Sequence, residues 1–161
     1  MDRELVVVGV DPHAAKPYSW AAWRRDGRSE TLLLARYGAL VELYGDVKTR
    51  FTHLGGCSLV AVEDQFMSRN YKVAKQLSWA AGKVAGAMEI LGCPYEFVNV
   101  AKWQSYFGFA GKSKDRHLWQ EAKKSCGSQW RDCWEGNEDV GAAILIGLYA
   151  LRIEWERLQR Q

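Results

Sequence analysis

Six residues, Leu5-Val6-Val7-Val8-Gly9-Val10, run without a polar interruption and end at Asp11-Pro12. A continuous run rich in β-branched side chains predicts a strand buried on both faces, here delivering an acid at its C-terminal end. Residues 58–63, Ser-Leu-Val-Ala-Val-Glu, repeat the pattern and end at Glu63. Between them, residues 18–24 and 29–35 flank Arg25-Asp26-Gly27-Arg28. Asp-Gly between two strand-like runs predicts a hairpin, because its turn requires positive φ. The spacing changes to helical over 39–52, where Leu40, Leu43, Tyr44 and Val47 share a face until Gly55-Gly56. Over 71–91, Val73, Leu77, Ala80, Val84, Met88 and Leu91 form a second helical stripe, stopped by Gly92 and Pro94. Residues 95–100 read as a strand and Lys102 to Phe107 as a short helix or turn. Residues 113–125 read as a helix with Ser113 as N-cap. A last helix runs from Asn137 to about Leu158; its apolar, small-residue first half is expected against the sheet and its charged second half in solvent. The order β-β-β-α-β-α-β-α-α, with a hairpin on one edge, predicts an α/β layered fold. With no repeat or linker, residues 1–161 form one domain.

Composition sets limits on this picture. Apolar residues make up 48% and charged residues 25%, which excludes a disordered chain. The run Val140 to Leu151 is shorter than the ~20 residues of a membrane span. Met1-Asp2-Arg3-Glu4 places charge on both sides of a very short apolar run, unlike a secretion signal. An intracellular protein with no membrane partner is expected. Cys57, Cys93, Cys126 and Cys133 form no Cys-x-x-Cys pair, and His13, His53 and His117 complete no zinc pattern, so reduced thiols are expected. A net charge of +3 does not by itself indicate nucleic acid. Its distribution is more telling: Lys102, Lys112, Lys114 and Arg116 face a single acid, Asp115. Eight tryptophans is a high count for this length; some are expected in the core, and others could serve stacking surfaces.

The acids carry the candidate chemistry. Asp11 and Glu63 end two buried strands, and α/β folds tend to place their sites at such ends. Two neighbouring carboxylates repel unless a cation lies between them, and hard oxygen ligands favour magnesium or manganese. Asp139 opens the last helix, where the helix dipole favours a negative charge. Three acids from two strands and a helix can hold two metal ions, an arrangement that assists attack of water on a phosphodiester. Taken singly, each acid is equally a turn residue, a strand end or a helix cap.

Three blocks give this set a family. Gly9-Val10-Asp11-Pro12, then Val62-Glu63-Asp64-Gln65-Phe66-Met67-Ser68-Arg69-Asn70, then Asp139-Val140-Gly141-Ala142-Ala143, resemble the motifs of RuvC-type Holliday junction resolvases, members of the RNase H-like nuclease superfamily. The resemblance spans residues 5 to about 151 in order. The first block alone is shared with sugar-kinase-like ATPases. The resemblance implies an RNase H-like mixed central sheet flanked by helices, and a homodimer. It also implies a Mg2+ or Mn2+ two-metal site and symmetric nicking of four-way junctions or other branched DNA. The catalytic positions would be Asp11, Glu63, Asp139 and Ala142, with Asp11, Glu63 and Asp139 as metal ligands. Phe66 matches an aromatic that packs on bases at the opened junction, and Lys102 with Lys114 or Lys112 matches basic residues near the scissile phosphate. Arg69, Asn70 and Arg116 complete the implied DNA-binding set. A compact resolvase of this kind would suit a virus or mobile element.

The departure is Ala142, where the pattern acid-x-x-Asp-Ala expects a second acid on the same helix face. Three accounts remain open. An aspartate was replaced so that DNA is bound and not cut; or the natural site works with three acids helped by Glu138; or the frame shifts, with Asp139 as the last acid and Glu135 or Glu138 behind it. Two other functions compete: a non-cleaving branched-DNA binding protein on the same scaffold, and an ATP-binding phosphotransferase-like domain that rests only on the opening Val-Gly-Val-Asp-Pro.

Overall fold

The structure, a computed structural model, describes residues 4–13, 17–64, 70–109 and 118–161. Three strands meander first: β1 (Glu4–Asp11), β2 (Tyr18–Asp26) and β3 (Ser29–Gly38), each antiparallel to the one before. The β2–β3 turn carries Gly27 at φ 56°, the left-handed conformation expected of Asp-Gly. α1 (Leu40–Gly45) continues into a wide π-type turn over Asp46–Arg50 and a tight turn over Thr52–Leu54, so the predicted 39–52 helix is present but irregular. The wide turn buries Asp46 and Val47 together. Asp46 accepts hydrogen bonds from Trp20 Nε1 at 2.9 Å and Arg50 Nε at 3.0 Å, a buried acid with a structural task.

The chain then crosses over. β4 (Leu59–Asp64) lies parallel beside β1, α2 (Tyr71–Leu91) returns, and β5 (Tyr95–Asn99) lies parallel beside β4. α3 (Val100–Tyr106), α4 (Leu118–Cys126) and α5 (Glu138–Gln159) follow. The five strands form one mixed sheet in the order β3-β2-β1-β4-β5.

Strand alternation divides the core in two. Val6, Val8, Val10, Val60 and Val62 pack with Trp20 under Leu43, Val84 and Met88 of α1 and α2. Val7, Ala21, Trp23 and Ala61 pack on the other face with Ala143, Ile144 and Leu148 of α5. Both faces of β1 and β4 are therefore covered, which is why their sequences do not alternate.

The small residues of α5 set how close it comes. A Cβ on Gly9 would strike the backbone of Gly147 and lie 2.6 Å from the Ala143 carbonyl oxygen. One on Gly147 would meet Trp23 Cδ1 at 3.0 Å and Gly9 N at 3.1 Å. Trp23 Nε1 donates to the Ile144 carbonyl at 2.9 Å, fixing the helix along β2. Lower down, Arg152 pairs with Glu30 of β3 at 2.8 Å, and Arg25 lies over the Trp155 ring.

The α2 stripe needs one correction. Val73 is 38% exposed, as are Tyr71 and Trp79 to a greater degree, and packing begins at Ala80. The first turns of α2 are exposed or half-buried, so helical spacing there does not mark a core face. Ser113 lies outside the described residues, and α4 is described from Leu118. Among the described residues no helix is long and apolar enough to cross a membrane.

Candidate metal centre

Parallel pairing of β1 and β4 aligns Val10 with Val62. The next residues, Asp11, the last of β1, and Glu63, the last but one of β4, therefore lie beside each other on neighbouring strands about 4.8 Å apart. They share the phase of Gly9 and Ala61, so alternation turns both side chains toward the α5 face. Both are buried, at 5% and 4% exposure. α5 begins above them. Asn137 caps it, its Oδ1 accepting from Val140 N at 3.0 Å, and Asp139 follows in the first turn. The close Gly9–Gly147 contact thus sets the height of Asp139 over the strand ends.

Asp11 and Asp139 come together around a third residue. His13 Nε2 lies 3.6 Å from Asp11 Oδ2 and 3.7 Å from Asp139 Oδ1. One donor atom of each residue falls within 4.8 Å of the other two. Two carboxylates and an imidazole are a donor set suited to a divalent cation.

Glu63 stands one strand away from this trio, with Oε1 accepting from Trp103 Nε1 at 3.2 Å. The path of the chain explains the contact. Glu63 pairs in register with Val98 of β5. Asn99 then caps α3, accepting from Ala101 N at 2.9 Å, so the helix begins at once and Trp103 folds back over the strand ends. Lys102, its neighbour, is exposed.

The other expected site residues divide. Ala142 is buried at 5% exposure, one turn beyond Asp139. Asn70 caps α2, its Oδ1 accepting from Lys72 N at 3.0 Å. Glu135 is engaged with Lys123 Nζ at 3.1 Å and with Trp130 Nε1 at 3.2 Å. Phe66, Arg69, Lys112, Lys114 and Arg116 lie outside the described residues.

Three residues of this region escape a sequence reading. His13 carried a signal, its position two residues after a strand-end acid. Trp103 carried none, because its contact depends on how abruptly β5 turns into α3. Tyr37 is 62% exposed and shares a rung with Ser19 and Asp11 across three strands. With Pro17, Ser19 and Asn137 it lines a cavity of about 200 Å³ that reaches Asp139.

Known proteins share this fold. Residues 28–150 match the family described as Lactococcus phage M3 protein. No curated protein matches the sequence. Among solved structures, Thermus thermophilus RuvC bound to a Holliday junction substrate superposes with a TM-score of 0.71 at 18% identity, over 94% of this chain and 96% of that one. A second T. thermophilus RuvC structure gives 0.67 at 18% identity, over 93% and 97%. Fowlpox virus resolvase with Holliday junction DNA gives 0.56 at 15% identity, over 92% and 97%. The fold is the RuvC-like form of the RNase H-like fold.

Proposed function

Since this chain belongs to the Lactococcus phage M3 protein family and has a RuvC-like fold, we propose that it is a metal-dependent endonuclease acting on four-way junctions or other branched DNA. One observation carries the reading. Asp11 and Glu63 stand at the same end of adjacent parallel strands and face the first turn of α5, where Asp139 stands beside Asp11. Burying two carboxylates side by side is costly unless a cation compensates them. The solved RuvC and fowlpox resolvase complexes hold Holliday junction DNA on the same fold.

In this reading Asp11 and Asp139 would hold a Mg2+ or Mn2+ ion, with Glu63, steadied by Trp103, as the further acid of the set. The cation's chemistry is to generate hydroxide from water and to stabilise the leaving oxygen of the phosphodiester. Asp11 and Glu63 are fixed on strands, so their carboxylates need no reordering when DNA arrives. Lys102 stands exposed at the same end of the sheet, within the reach of a long side chain to a phosphate. Phe66 and Arg69, next to Asn70, and the basic residues Lys112, Lys114 and Arg116 complete the proposed DNA surface.

Symmetric cutting needs two sites, and α2 offers a face for a second copy. Trp79, Gly82, Lys83, Gly86 and Ile90 fall on its outward side, with Trp79 at 63% and Ile90 at 80% exposure. Small residues between two apolar anchors allow close approach of an identical helix across a twofold axis.

Ala142 favours a second reading, a branched-DNA binding protein that does not cut. Nicking of an end-labelled four-way junction in Mg2+ and in Mn2+ separates the two, using the protein and its Ala142→Asp variant at fixed salt. Paired nicks on opposite strands by either form support the nuclease. Binding by both forms without nicks supports the binder.

A further inference from the structure

We propose that His13 is a metal ligand that stands in for the carboxylate missing at Ala142, and that its nitrogen makes the centre select manganese over magnesium. This rests on the nuclease reading, in which Asp11 and Asp139 hold a divalent cation.

Distance is the first argument. At 3.6 and 3.7 Å, His13 Nε2 is too far from Asp11 Oδ2 and Asp139 Oδ1 for hydrogen bonding. These separations are close to the edges of a coordination polyhedron: ligands about 2.1 Å from a shared cation lie roughly 3.0 Å apart at right angles and about 3.4 Å apart at tetrahedral angles. A contraction of a few tenths of an ångström onto an ion would close the set.

Position is the second. Asp11 is the last residue of β1, and Pro12 restricts the backbone between it and His13. The imidazole is carried on a short, stiff link from the sheet, and only 14% of its side chain is exposed. Held there, its ring nitrogen stands between the two carboxylates, where either a ligand of a shared cation or an imidazolium would sit, and Mn2+ binding by His13→Ala separates the two.

Charge is the third. The family pattern expects an acid at position 142, and a buried alanine stands there. Without that carboxylate the cation loses one hard anionic donor. A neutral imidazole restores the donor count but not the charge. Both ions favour oxygen donors, but magnesium keeps water in an empty position, whereas manganese, a first-row transition ion, is the softer of the two and tolerates an imidazole nitrogen better. The exchange of an acid on α5 for a histidine after β1 therefore moves selectivity from magnesium toward manganese.

The test is Mn2+ binding followed by electron paramagnetic resonance, with pulsed spectra to detect imidazole nitrogen on the ion. The protein, His13→Ala and Asp11→Asn are compared, with Mg2+ affinity read by competition and folding checked by melting in EDTA. The parent should show nitrogen coupling. His13→Ala should lose it and weaken Mn2+ binding about tenfold or more, while Mg2+ affinity changes less than about twofold. Nitrogen coupling that survives in His13→Ala, or its absence from a parent that binds Mn2+, would overturn the proposal. So would equal loss of both metals, which marks His13 as a shaping residue only. An imidazolium that merely balanced the carboxylates would leave His13→Ala binding Mn2+ more tightly, again overturning it. If Asp11→Asn also leaves Mn2+ binding unchanged, or the parent binds none, the metal reading itself fails.

Discussion

Replacing Ala142 with aspartate should destabilise the metal-free protein and restore it when metal is added. Positions 139 and 142 are neighbours on one helix face, with Cβ atoms about 5–6 Å apart. Two unit charges at about 5.5 Å, in an effective dielectric of about 20, repel by about 3 kcal/mol. The Asp139 side chain is 39% exposed, and screening reduces the cost to about 1–2 kcal/mol. For a chain of 161 residues that is about 2–8 °C in Tm. The buried position adds a packing cost that has nothing to do with charge, so Ala142→Asn, equal in size and uncharged, is the reference. In EDTA the aspartate variant should melt below the asparagine variant by this amount. In saturating Mn2+ the order should reverse, because each tenfold gain in affinity adds about 1.4 kcal/mol of stability. If the two variants melt together in EDTA and respond equally to Mn2+, position 142 does not face the carboxylates, and the frame that assigns Ala142 to a lost acid is wrong.

Other consequences are open to direct measurement. Gly9→Ala should cost at least about 1–3 kcal/mol in urea unfolding, because the new methyl meets backbone on α5 and not a flexible side chain. Trp103→Phe removes the indole donor to the buried Glu63 carboxylate and should cost about 1–3 kcal/mol, with weaker metal binding as the accompanying sign. If the proposed contact through the outward face of α2 forms, Trp79→Glu should shift the protein to a monomer in sedimentation and remove the dependence of Tm on protein concentration, and a sedimentation profile identical to the parent's would refute the contact. Thiol labelling at pH 8 should modify the exposed Cys133 first and spare the buried Cys126. Burial pushes the Cys126 thiol up to about 12 from its ordinary 9. The native state therefore disfavours its thiolate, so the stability associated with Cys126 is full below pH 9 and is lost as pH rises toward 12; Cys126→Ala should flatten that loss.

What the sequence makes legible here follows from the range of the interactions involved. Strands β1 and β4 announce themselves because both faces are buried and every position must be apolar; their terminal acids then stand out against the pattern. The hairpin is legible from Asp26-Gly27, since a two-residue turn constrains its own residues. The same local logic fails where a residue's role is set by an element far away in the chain. Val73 has helical spacing, yet it is exposed, because what packs beneath a helix is set by other elements and is not written in α2. Trp103 reaches Glu63 across 40 residues, and Tyr37 reaches the Asp139 cavity through the register of three strands. Asp46 is buried like Asp11, and only its partners, Trp20 and Arg50, identify it as structural.

The small residues of α5 join these observations into one argument. A helix that must place an acid over two strand ends has to lie close to the sheet, and Gly9, Ala143 and Gly147 provide that approach at the expense of side-chain packing. Gly141 does the same toward α4, where a Cβ would meet Trp119 Cα at 3.1 Å. Ala142 sits between those two contacts, so its smallness has two possible origins: room for neighbouring backbones, or loss of a ligand. The two origins predict different responses to added metal, and packing alone cannot produce a penalty that Mn2+ removes. A metal-dependent gain in Ala142→Asp relative to Ala142→Asn therefore identifies a lost ligand. A uniform penalty identifies a packing position, and in that case His13 belongs to the original ligand set and replaces nothing.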